Sequence, residues 1–257
     1  MSSLAITVKL KSVLTCVITA VAITALSLCA HYSGAYAVWY GNTPRLLPIY
    51  SVEREDKVVS ISFDCAWGTD YTDKILQALK NGGIKATWFM VEFWSEKYPE
   101  FVKKIDAEGH EIGTHSSTHS YMSKQSADEI RLELKTSSTV IESVTGKKVE
   151  LFRPPYGDYN DRLIKTASEE GYYTIQWDVD SLDWRDLSAS DIATRVLKGV
   201  KNGSIILMHN NGLHTWEAVP IIVETLKNRG YEFVPIGELI YRENYTIDVT
   251  GRQIPAA

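Results

Sequence analysis

Residues 58–64 read VVSISFD, an apolar run that ends abruptly in a carboxylate. A short run rich in β-branched and aromatic residues predicts a buried strand. Six further runs of this kind follow, and helical patterns fill the gaps between them. The seven predicted strands are 58–63, 85–91, 110–113, 150–153, 172–177, 204–208 and 231–234. Their alternation with helices predicts parallel β-α units, arranged either as an open sheet or as a barrel with fewer than eight strands.

Helix start and stop signals support the same α/β interpretation. Residues 71–81 carry one apolar face and are followed by two glycines at 82–83, which predict the end of a helix. Ser126 and Glu129 have the spacing of a capping box, so a second helix is expected to begin there. Further helical stretches are predicted at 99–108, 161–170, 191–201 and 218–229. No glycine-rich phosphate loop follows the first strand, which argues against a nucleotide-binding sheet.

The composition is that of a globular protein. The chain has 257 residues, of which 44% are hydrophobic and 23% are charged, and its formal charge is −5. Such a mixture is too apolar for a disordered chain, and an acidic balance argues against a nucleic-acid partner. Cys16 and Cys29 both lie in an apolar N-terminal run, so Cys65 is the only cysteine of the remainder. The remainder is therefore expected to fold without an intramolecular disulfide.

The N-terminal segment has the pattern of an export signal or a membrane anchor. Residues 12–30 form about 19 uncharged and mostly apolar positions, enough for a helix of roughly 28 Å. Lys9 and Lys11 precede this run, so the rest of the chain is expected outside the cytoplasm. An uncleaved transmembrane anchor is favoured over a signal peptide cut near Ala37. The predicted organisation is an anchor or signal at 1–37, a linker at 38–57 and one domain at 58–257.

Chemically capable side chains follow the predicted strands at the points where those strands end. They are Asp64, His115, His119, Arg153, Asp178, Asp180, Asp183 and His209. In parallel β/α folds the carboxyl ends of the strands meet at one rim, where ligands bind. We therefore expect these residues, scattered along the sequence, to lie close together in one site.

The two histidines at this rim have the spacing of metal ligands. His115 and His119 are four residues apart, so both imidazoles could reach one ion from a turn or a helix face. With Asp64 they would leave open positions on the ion, which is typical of a catalytic site. Arg153 borders an apolar strand and needs a carboxylate partner, either Asp64 or one of the aspartates at 178–183. Aromatic residues near the rim, Trp184 among them, are either core residues or platforms for sugar rings.

The motifs at the rim occur in an order known from one family. They are SFDCAWG at 62–68, HSSTH at 115–119, RPPYG at 153–157, DSLDW at 180–184 and LMH at 207–209. Together they resemble the NodB-homology polysaccharide deacetylases, carbohydrate esterase family four, from about residue 58 to residue 239. The apolar N-terminus and the FDxxWG form of the first motif look like the PdaB-like sporulation branch of spore-forming Gram-positive bacteria.

The resemblance implies a fold, an activity and a place of action. The fold would be a distorted (β/α)7 barrel, in agreement with the seven predicted strands. The activity would be that of a metal-dependent hydrolase that removes N-acetyl groups from amino sugars of a cell-wall polysaccharide such as peptidoglycan, acting on carbon-nitrogen bonds other than peptide bonds. The glycan would be the partner, and the catalytic domain would lie outside the cytoplasm, held at the membrane or secreted after cleavage near Ala37. No protein partner is indicated.

The resemblance also implies roles for the residues that bind the cation and activate water. Asp64 looks like the catalytic base, and Arg153 would orient its carboxylate. His115 and His119 look like ligands of a divalent metal ion, which is usually zinc in this family.

The remaining motif residues resemble those that stabilise the reacting amide and release the amine. The backbone N–H of Tyr156 would help to bind the oxyanion. Asp183 would orient His209, the general acid. Leu207 would line the pocket for the acetyl methyl group, and Trp184 would contact the substrate.

One residue departs from the family pattern. The usual first motif has two adjacent aspartates, of which the second is a metal ligand, and here that position is Cys65. The thiolate could bind zinc, or Cys65 could point into the barrel as a small apolar residue. Asp70 could supply the missing carboxylate, or Asp64 could move onto the metal. The substitution at Cys65 leaves open a membrane-tethered glycan-binding protein with weakened catalysis. An esterase acting on O-acetylated polysaccharide also stays open, because some members of the family that the chain resembles have that activity.

Overall fold

The structure, a computed structural model, describes residues 10–32 and 45–256. The chain divides into two compact units, residues 1–45 and 46–257. In the first unit, helix α1 runs from Leu10 to Tyr32 over 23 residues and includes the whole run predicted as an anchor. The predicted transmembrane span is not supported, because no helix in the described parts of the chain combines the length and the apolarity needed to cross a bilayer. The proposed cleavage position, Ala37, lies outside the described residues.

Eleven strands are found in the second unit, within residues 45–256. They are β1 Ser51–Val52, β2 Val58–Cys65, β3 Thr87–Met90, β4 Glu111–Thr114, β5 Leu151–Phe152, β6 Tyr173–Thr174, β7 Val179–Asp180, β8 Ile205–His209, β9 Glu232–Phe233, β10 Tyr245–Ile247 and β11 Arg252–Pro255. The main sheet has the order β6-β5-β4-β3-β2-β8-β7, with β9 paired to the start of β2. Every pairing in this sheet is parallel.

The main sheet curls into an open half-barrel. Its outer strands, β6 and β7, are not paired with each other in the described part of the chain. The seven predicted strands are all present, and β7 is an additional strand. The α/β class and the parallel order are therefore confirmed, whereas the barrel is an incomplete one. A separate small sheet joins β1, β11 and β10.

Helices connect the strands, and most of them pack on the face of the sheet that carries the main core, whereas Ile236 and Leu239 of the last helix pack in a second cluster. The helices of the second unit are α2 Thr72–Gly82, α3 Glu92–Lys97, α4 Pro99–Ala107, α5 Ala127–Thr145, α6 Asp161–Glu169, α7 Ala189–Gly199, α8 Thr215–Asn228 and α9 Ile236–Leu239. The predicted capping box begins α5, where the Ser126 side chain accepts from the Glu129 backbone N–H and the Glu129 carboxylate accepts from that of Ser126. Gly83 ends α2 with a φ of 61°, a left-handed conformation that favours glycine.

The central strand β2 separates the apolar core from the polar side of the sheet. Its alternate residues Val59, Ile61, Phe63 and Cys65 lie in the core cluster that also contains residues of the covering helices. Phe63 stacks on Trp88 with ring centroids 4.6 Å apart. Because successive side chains of a strand point to opposite faces, Asp64 lies on the side away from this core. The strand thereby presents a carboxylate at its carboxyl end while its other face stays apolar.

Part of the segment predicted as a linker is packed into the second unit. Ile49 and Val52 are buried. The backbone N–H of Ile49 donates to the carbonyl of Thr174 at 2.9 Å, and β1 pairs with β11 in parallel register. The compact unit accordingly begins at Leu46, upstream of the first predicted strand.

Candidate active site

A cleft of about 590 Å³ lies at the carboxyl ends of the main-sheet strands. Seven predicted site residues line it: Asp64, His115, His119, Tyr156, Trp184, Leu207 and His209. Arg153 and Asp183 are fully buried and contact residues of the cleft from behind. The parallel sheet thus brings together residues far apart in sequence, as the strand-end pattern predicts.

Arg153 holds the carboxylate of Asp64 in place. Its Nη1 donates to Asp64 Oδ1 at 2.8 Å, and its Nη2 donates to Ser62 Oγ at 2.9 Å. Burial disfavours the charged carboxylate, but the charge of Arg153, together with the neighbouring histidines, outweighs burial and lowers the pKa of Asp64. Asp64 is therefore ionised at neutral pH, and its Oδ2 lies 3.5 Å from His115 Nε2.

His115 is fixed in a single tautomer by the backbone. Its Nδ1 lies 2.7 Å from the carbonyl oxygen of Arg153, and a carbonyl only accepts, so Nδ1 carries the proton. The lone pair of the neutral ring is then on Nε2, the nitrogen that faces Asp64. An imidazole that donates its other N–H to a carbonyl is the usual arrangement of a metal ligand.

His119 lies beside His115, with ring centroids 5.0 Å apart. Burial lowers the pKa of His115 below its usual value and lowers the pKa of His119 to about 4. Both rings are therefore neutral at neutral pH, the form in which imidazole binds a metal. The buried Nδ1 of His119 has no hydrogen-bond partner among the described residues.

The donor set fits a divalent cation in its chemistry. Two neutral imidazoles and an ionised carboxylate, His115, His119 and Asp64, suit zinc and related ions. They do not form a closed cage, however: within residues 10–32 and 45–256, no group of three or more His, Cys, Asp or Glu side chains is arranged to hold an ion. The site thus offers fewer fixed ligands than a structural metal centre.

His209 and Asp183 form a second pair on the other side of the cleft, in which Asp183 is fully buried and the His209 side chain is 31% exposed. Asp183 Oδ1 lies 2.7 Å from His209 Nδ1, and Oδ2 accepts from the backbone N–H of His209 and from Thr215 Oγ1. Burial favours the neutral ring, but the hydrogen bond and the charge of Asp183 outweigh burial and raise the pKa of His209. The charged imidazolium is thus stabilised, and its Nε2 is the nitrogen left to donate a proton.

Three further predicted residues shape the cleft. Tyr156 has a φ of 60°, a left-handed conformation that is uncommon outside glycine, in the 3-10 turn Pro155–Gly157. Its ring is stacked on Tyr121 with centroids 4.4 Å apart. Leu207 is 3% exposed and Trp184 is 59% exposed. The cleft therefore combines a small apolar recess with an open aromatic edge.

The residues considered as a replacement for the family's second aspartate lie elsewhere. Cys65 is buried in the core on the face of β2 opposite to Asp64, rather than inside the barrel. Burial raises the pKa of its thiol well above the usual value, so it is not a thiolate. Asp70 is exposed and does not line the cleft. Of the alternatives raised by the sequence, only Asp64 has a carboxylate oxygen facing the histidines.

One aspartate grouped with the rim lies outside the cleft. The predicted strand 172–177 ends earlier, at Thr174, and the chain then forms β7 at Val179. Asp178 precedes β7 and accepts hydrogen bonds from Ser204 Oγ and the Ile205 backbone N–H at the start of β8. Trp177 before β7 and Asp180 at the end of β7 do line the cleft, whereas Asp178 between them does not.

Glu133 is a site residue that the sequence analysis missed. It lies in α5, is 7% exposed, and accepts hydrogen bonds from the backbone of the loop that joins His115 to His119. A detectable signal existed, because Glu133 is three residues after the buried Ile130 and so occupies the apolar face of a helix.

Comparisons with known proteins agree with this geometry. Residues 51–175 match the sequence profile of the polysaccharide deacetylase family. A peptidoglycan-N-acetylglucosamine deacetylase of Bacillus cereus is 35% identical over 196 residues, which cover 74% of this chain and 92% of that protein. The uncharacterised protein YlxY of Bacillus subtilis is also 35% identical, over 75% of this chain and 60% of its own length.

Solved structures of similar proteins include a pseudoenzyme and a carbohydrate esterase. A carbohydrate esterase family 4 pseudoenzyme from Bacillus anthracis has a TM-score of 0.73 and 36% identity, over 75% of this chain and 68% of that one. PdaA of Bacillus subtilis, a family 4 carbohydrate esterase, has a TM-score of 0.72 and 28% identity, over 75% of this chain and 84% of that one. The chain belongs to the polysaccharide deacetylases of the NodB-homology type, carbohydrate esterase family four.

Proposed function

We propose that this protein removes N-acetyl groups from amino sugars of peptidoglycan in a metal-dependent hydrolysis. One observation carries the proposal: Asp64 and His209 are register partners on the neighbouring strands β2 and β8. An ionised carboxylate and a stabilised imidazolium therefore face the same cleft side by side. A base and an acid placed in this way suit amide hydrolysis, in which hydroxide adds to the carbonyl carbon and the departing amine must be protonated.

His115 and His119 would hold the cation, and Asp64 Oδ2 would face it. When bound, a divalent ion supplies polarisation of the amide carbonyl and a lowered pKa of water. Asp64 Oδ2 accepts the proton of the attacking water, while Arg153 holds Oδ1 and keeps Oδ2 aimed at the cleft. The water oxygen then forms a bond to the carbonyl carbon.

The other side of the cleft completes the reaction. The backbone N–H of Tyr156 donates to the oxygen that becomes negative on attack. His209 Nε2 gives its proton to the amide nitrogen, and the carbon–nitrogen bond breaks to leave acetate and a free amine. Asp183 holds His209 Nδ1 throughout and stabilises the charged ring before the transfer. Leu207 packs against the methyl of the acetyl group, and Trp184 covers the sugar.

Two named relatives support peptidoglycan as the substrate class. The Bacillus cereus relative is a peptidoglycan-N-acetylglucosamine deacetylase, and PdaA is a peptidoglycan-N-acetylmuramic acid deacetylase. Because peptidoglycan lies beyond the plasma membrane, we propose that residues 46–257 act outside the cytoplasm. The open aromatic edge at Trp184 suits a polymer better than a small molecule, since sugar rings pack flat on aromatic side chains.

The purified protein is expected to release acetate from peptidoglycan when zinc or cobalt is supplied. Treatment with a chelator should abolish the release, because the two histidines alone cannot activate water, and added metal should restore it. Acetate is measured by a coupled assay, and mass spectrometry of digested glycan identifies the sugar that lost 42 Da, the mass of one acetyl group exchanged for hydrogen. Equal release with and without metal would contradict the metal dependence. Release of acetate from O-acetylated glycan only would show that the protein is an esterase and not an amidase.

One observation favours a second candidate, a glycan-binding protein without turnover. The carboxylate that the family usually places after the catalytic aspartate is missing, and Cys65 is buried away from the cleft. The Bacillus anthracis neighbour is a pseudoenzyme. This candidate predicts binding of peptidoglycan fragments with no acetate release at any concentration of zinc or cobalt.

A further inference from the structure

A carboxylate outside the catalytic set holds the loop between the two histidines. Glu133 Oε2 accepts from the backbone N–H groups of Ser117 and Thr118, each at 2.8 Å, and Oε1 accepts from Thr118 Oγ1 at 2.5 Å. Gln125 Nε2 adds a longer contact of 3.4 Å to Oε1. Hydrogen bonds to an ionised acceptor are about twice as strong as neutral ones. The middle of the loop, at Ser117 and Thr118, is therefore hydrogen-bonded to Glu133 of helix α5.

The loop needs such support because its backbone is strained on both sides of the two residues that Glu133 binds. Ser116 has a φ of 75° and His119 has a φ of 55°. Both values lie in the left-handed region, which costs free energy for residues with a Cβ and persists only where neighbouring contacts enforce it. Ser116 Oγ accepts from the His119 backbone N–H at 3.0 Å, so the two strained residues are also linked.

The direction of the His119 side chain depends on this conformation. In its left-handed conformation, His119 has its ring 5.0 Å from that of His115 and 4.6 Å from that of Tyr156. Relaxation of the backbone to an ordinary φ would turn the Cα–Cβ bond and carry the ring away from both. His115 is held independently, by its strand and by the carbonyl of Arg153. The loop contacts therefore govern one histidine and not the other.

We propose that Glu133 is a positioning residue, which keeps His119 in the left-handed conformation by binding the Ser117–Thr118 turn and thereby sets the affinity of the site for its cation. The proposal rests on the proposed function in one respect, that His115 and His119 are the ligands. It adds a residue that touches neither substrate nor metal and acts through the backbone.

The test compares Glu133→Ala and Glu133→Gln with a matched control, Glu142→Ala. Glu142 lies in the same helix and also accepts from a loop N–H, that of Val149 at 2.9 Å, but at the end far from the histidines. Amide hydrogen exchange is measured first on the metal-free proteins. In Glu133→Ala, exchange at Ser117 and Thr118 should become about tenfold faster or more, because both amides lose a charged acceptor. The control should leave these two amides unchanged.

Titration with cobalt(II) is the second measurement. Glu133→Ala should bind cobalt about 10- to 100-fold more weakly than the wild type, the range typical of residues that orient ligands. Glu133→Gln should recover most of the affinity, since its amide oxygen still accepts from the turn. If Glu133→Ala does not fold, Glu133→Gln should show smaller effects in the same directions.

The two measurements separate this inference from the proposed function. Unchanged exchange at Ser117 and Thr118 in Glu133→Ala would refute the claim that Glu133 stabilises the loop. Faster exchange with wild-type cobalt affinity would overturn its role in positioning His119. A wild-type protein that binds no cobalt would instead refute the proposed metal site, and Glu133 would then be a loop anchor without the role inferred for it.

Discussion

Replacement of Asp64 by asparagine is expected to lower the rate of deacetylation by about 10²–10⁴-fold, the usual contribution of a general base. The asparagine side chain cannot take a proton from water at neutral pH, although its oxygen can still accept the hydrogen bond from Arg153. The fully buried guanidinium loses its counter-charge. Loss of one partner of a buried ion pair costs about 3–5 kcal/mol, so the free energy of unfolding should also fall, by less than this because one acceptor is kept.

Asp178→Asn is the matched control for Asp64→Asn. Like Asp64, Asp178 accepts hydrogen bonds, in its case from a hydroxyl and a backbone N–H, but it lies outside the cleft. The Asp178→Asn protein should lose some stability and keep its activity. Rates are compared at a temperature at which circular dichroism shows every variant folded. An Asp64→Asn protein with wild-type activity would remove Asp64 from the mechanism.

Replacement of His209 by alanine is expected to have an effect of similar size on amide substrates, about 10²–10⁴-fold. An amine leaves only after it is protonated, and the imidazolium of His209, whose Nδ1 contacts Asp183, is the donor that we propose. The expected loss depends on the leaving group. With 4-nitrophenyl acetate, whose phenolate departs without a proton, His209→Ala should cost far less activity, whereas Asp64→Asn should remain as damaging.

His214→Ala is the control for the removal of an imidazole nearby. His214 pairs with Glu217 at 2.7 Å and does not line the cleft, so its removal should leave both rates unchanged. If His209→Ala slowed the ester and the amide equally, His209 would not be the proton donor to the leaving group.

The main features of the site could be predicted because strand ends converge. Six of the seven predicted strands end within two residues of the observed strand, and the parallel order brings Asp64, His115 and His209 to one rim. The cost of burying an unpaired guanidinium predicted a carboxylate partner for Arg153, and Asp64 is that partner at 2.8 Å.

Other features depend on structure that carries no local signal. Strand β7 has two residues and exists because Val179 and Asp180 pair with β8, so no apolar run marks it. The position of Asp178 follows from this short strand. Helix α3 has only six residues and no side-chain cap, and it too lacked a signal. The separation of Cys65 from the cleft, by contrast, follows from strand periodicity once Asp64 is placed.

The hydrogen bonds between Glu133 and the loop that joins His115 to His119 could not be predicted from the sequence for a different reason. The capping box and the apolar positions predicted helix α5, but no sequence pattern indicates which loop a buried carboxylate on that helix contacts. The left-handed conformations of Ser116 and His119 were equally hidden, since a positive φ is uncommon for any residue other than glycine. Such contacts join elements distant in sequence and are visible only in the fold.

Anomalous diffraction at the zinc edge, from crystals grown with zinc, tests the central claim most directly. We expect one strong anomalous peak in the cleft, within ligand distance of His115 and His119, next to the Asp64 carboxylate and on the same side of the sheet as His209. A cleft with no peak, or zinc bound without either histidine, would contradict it.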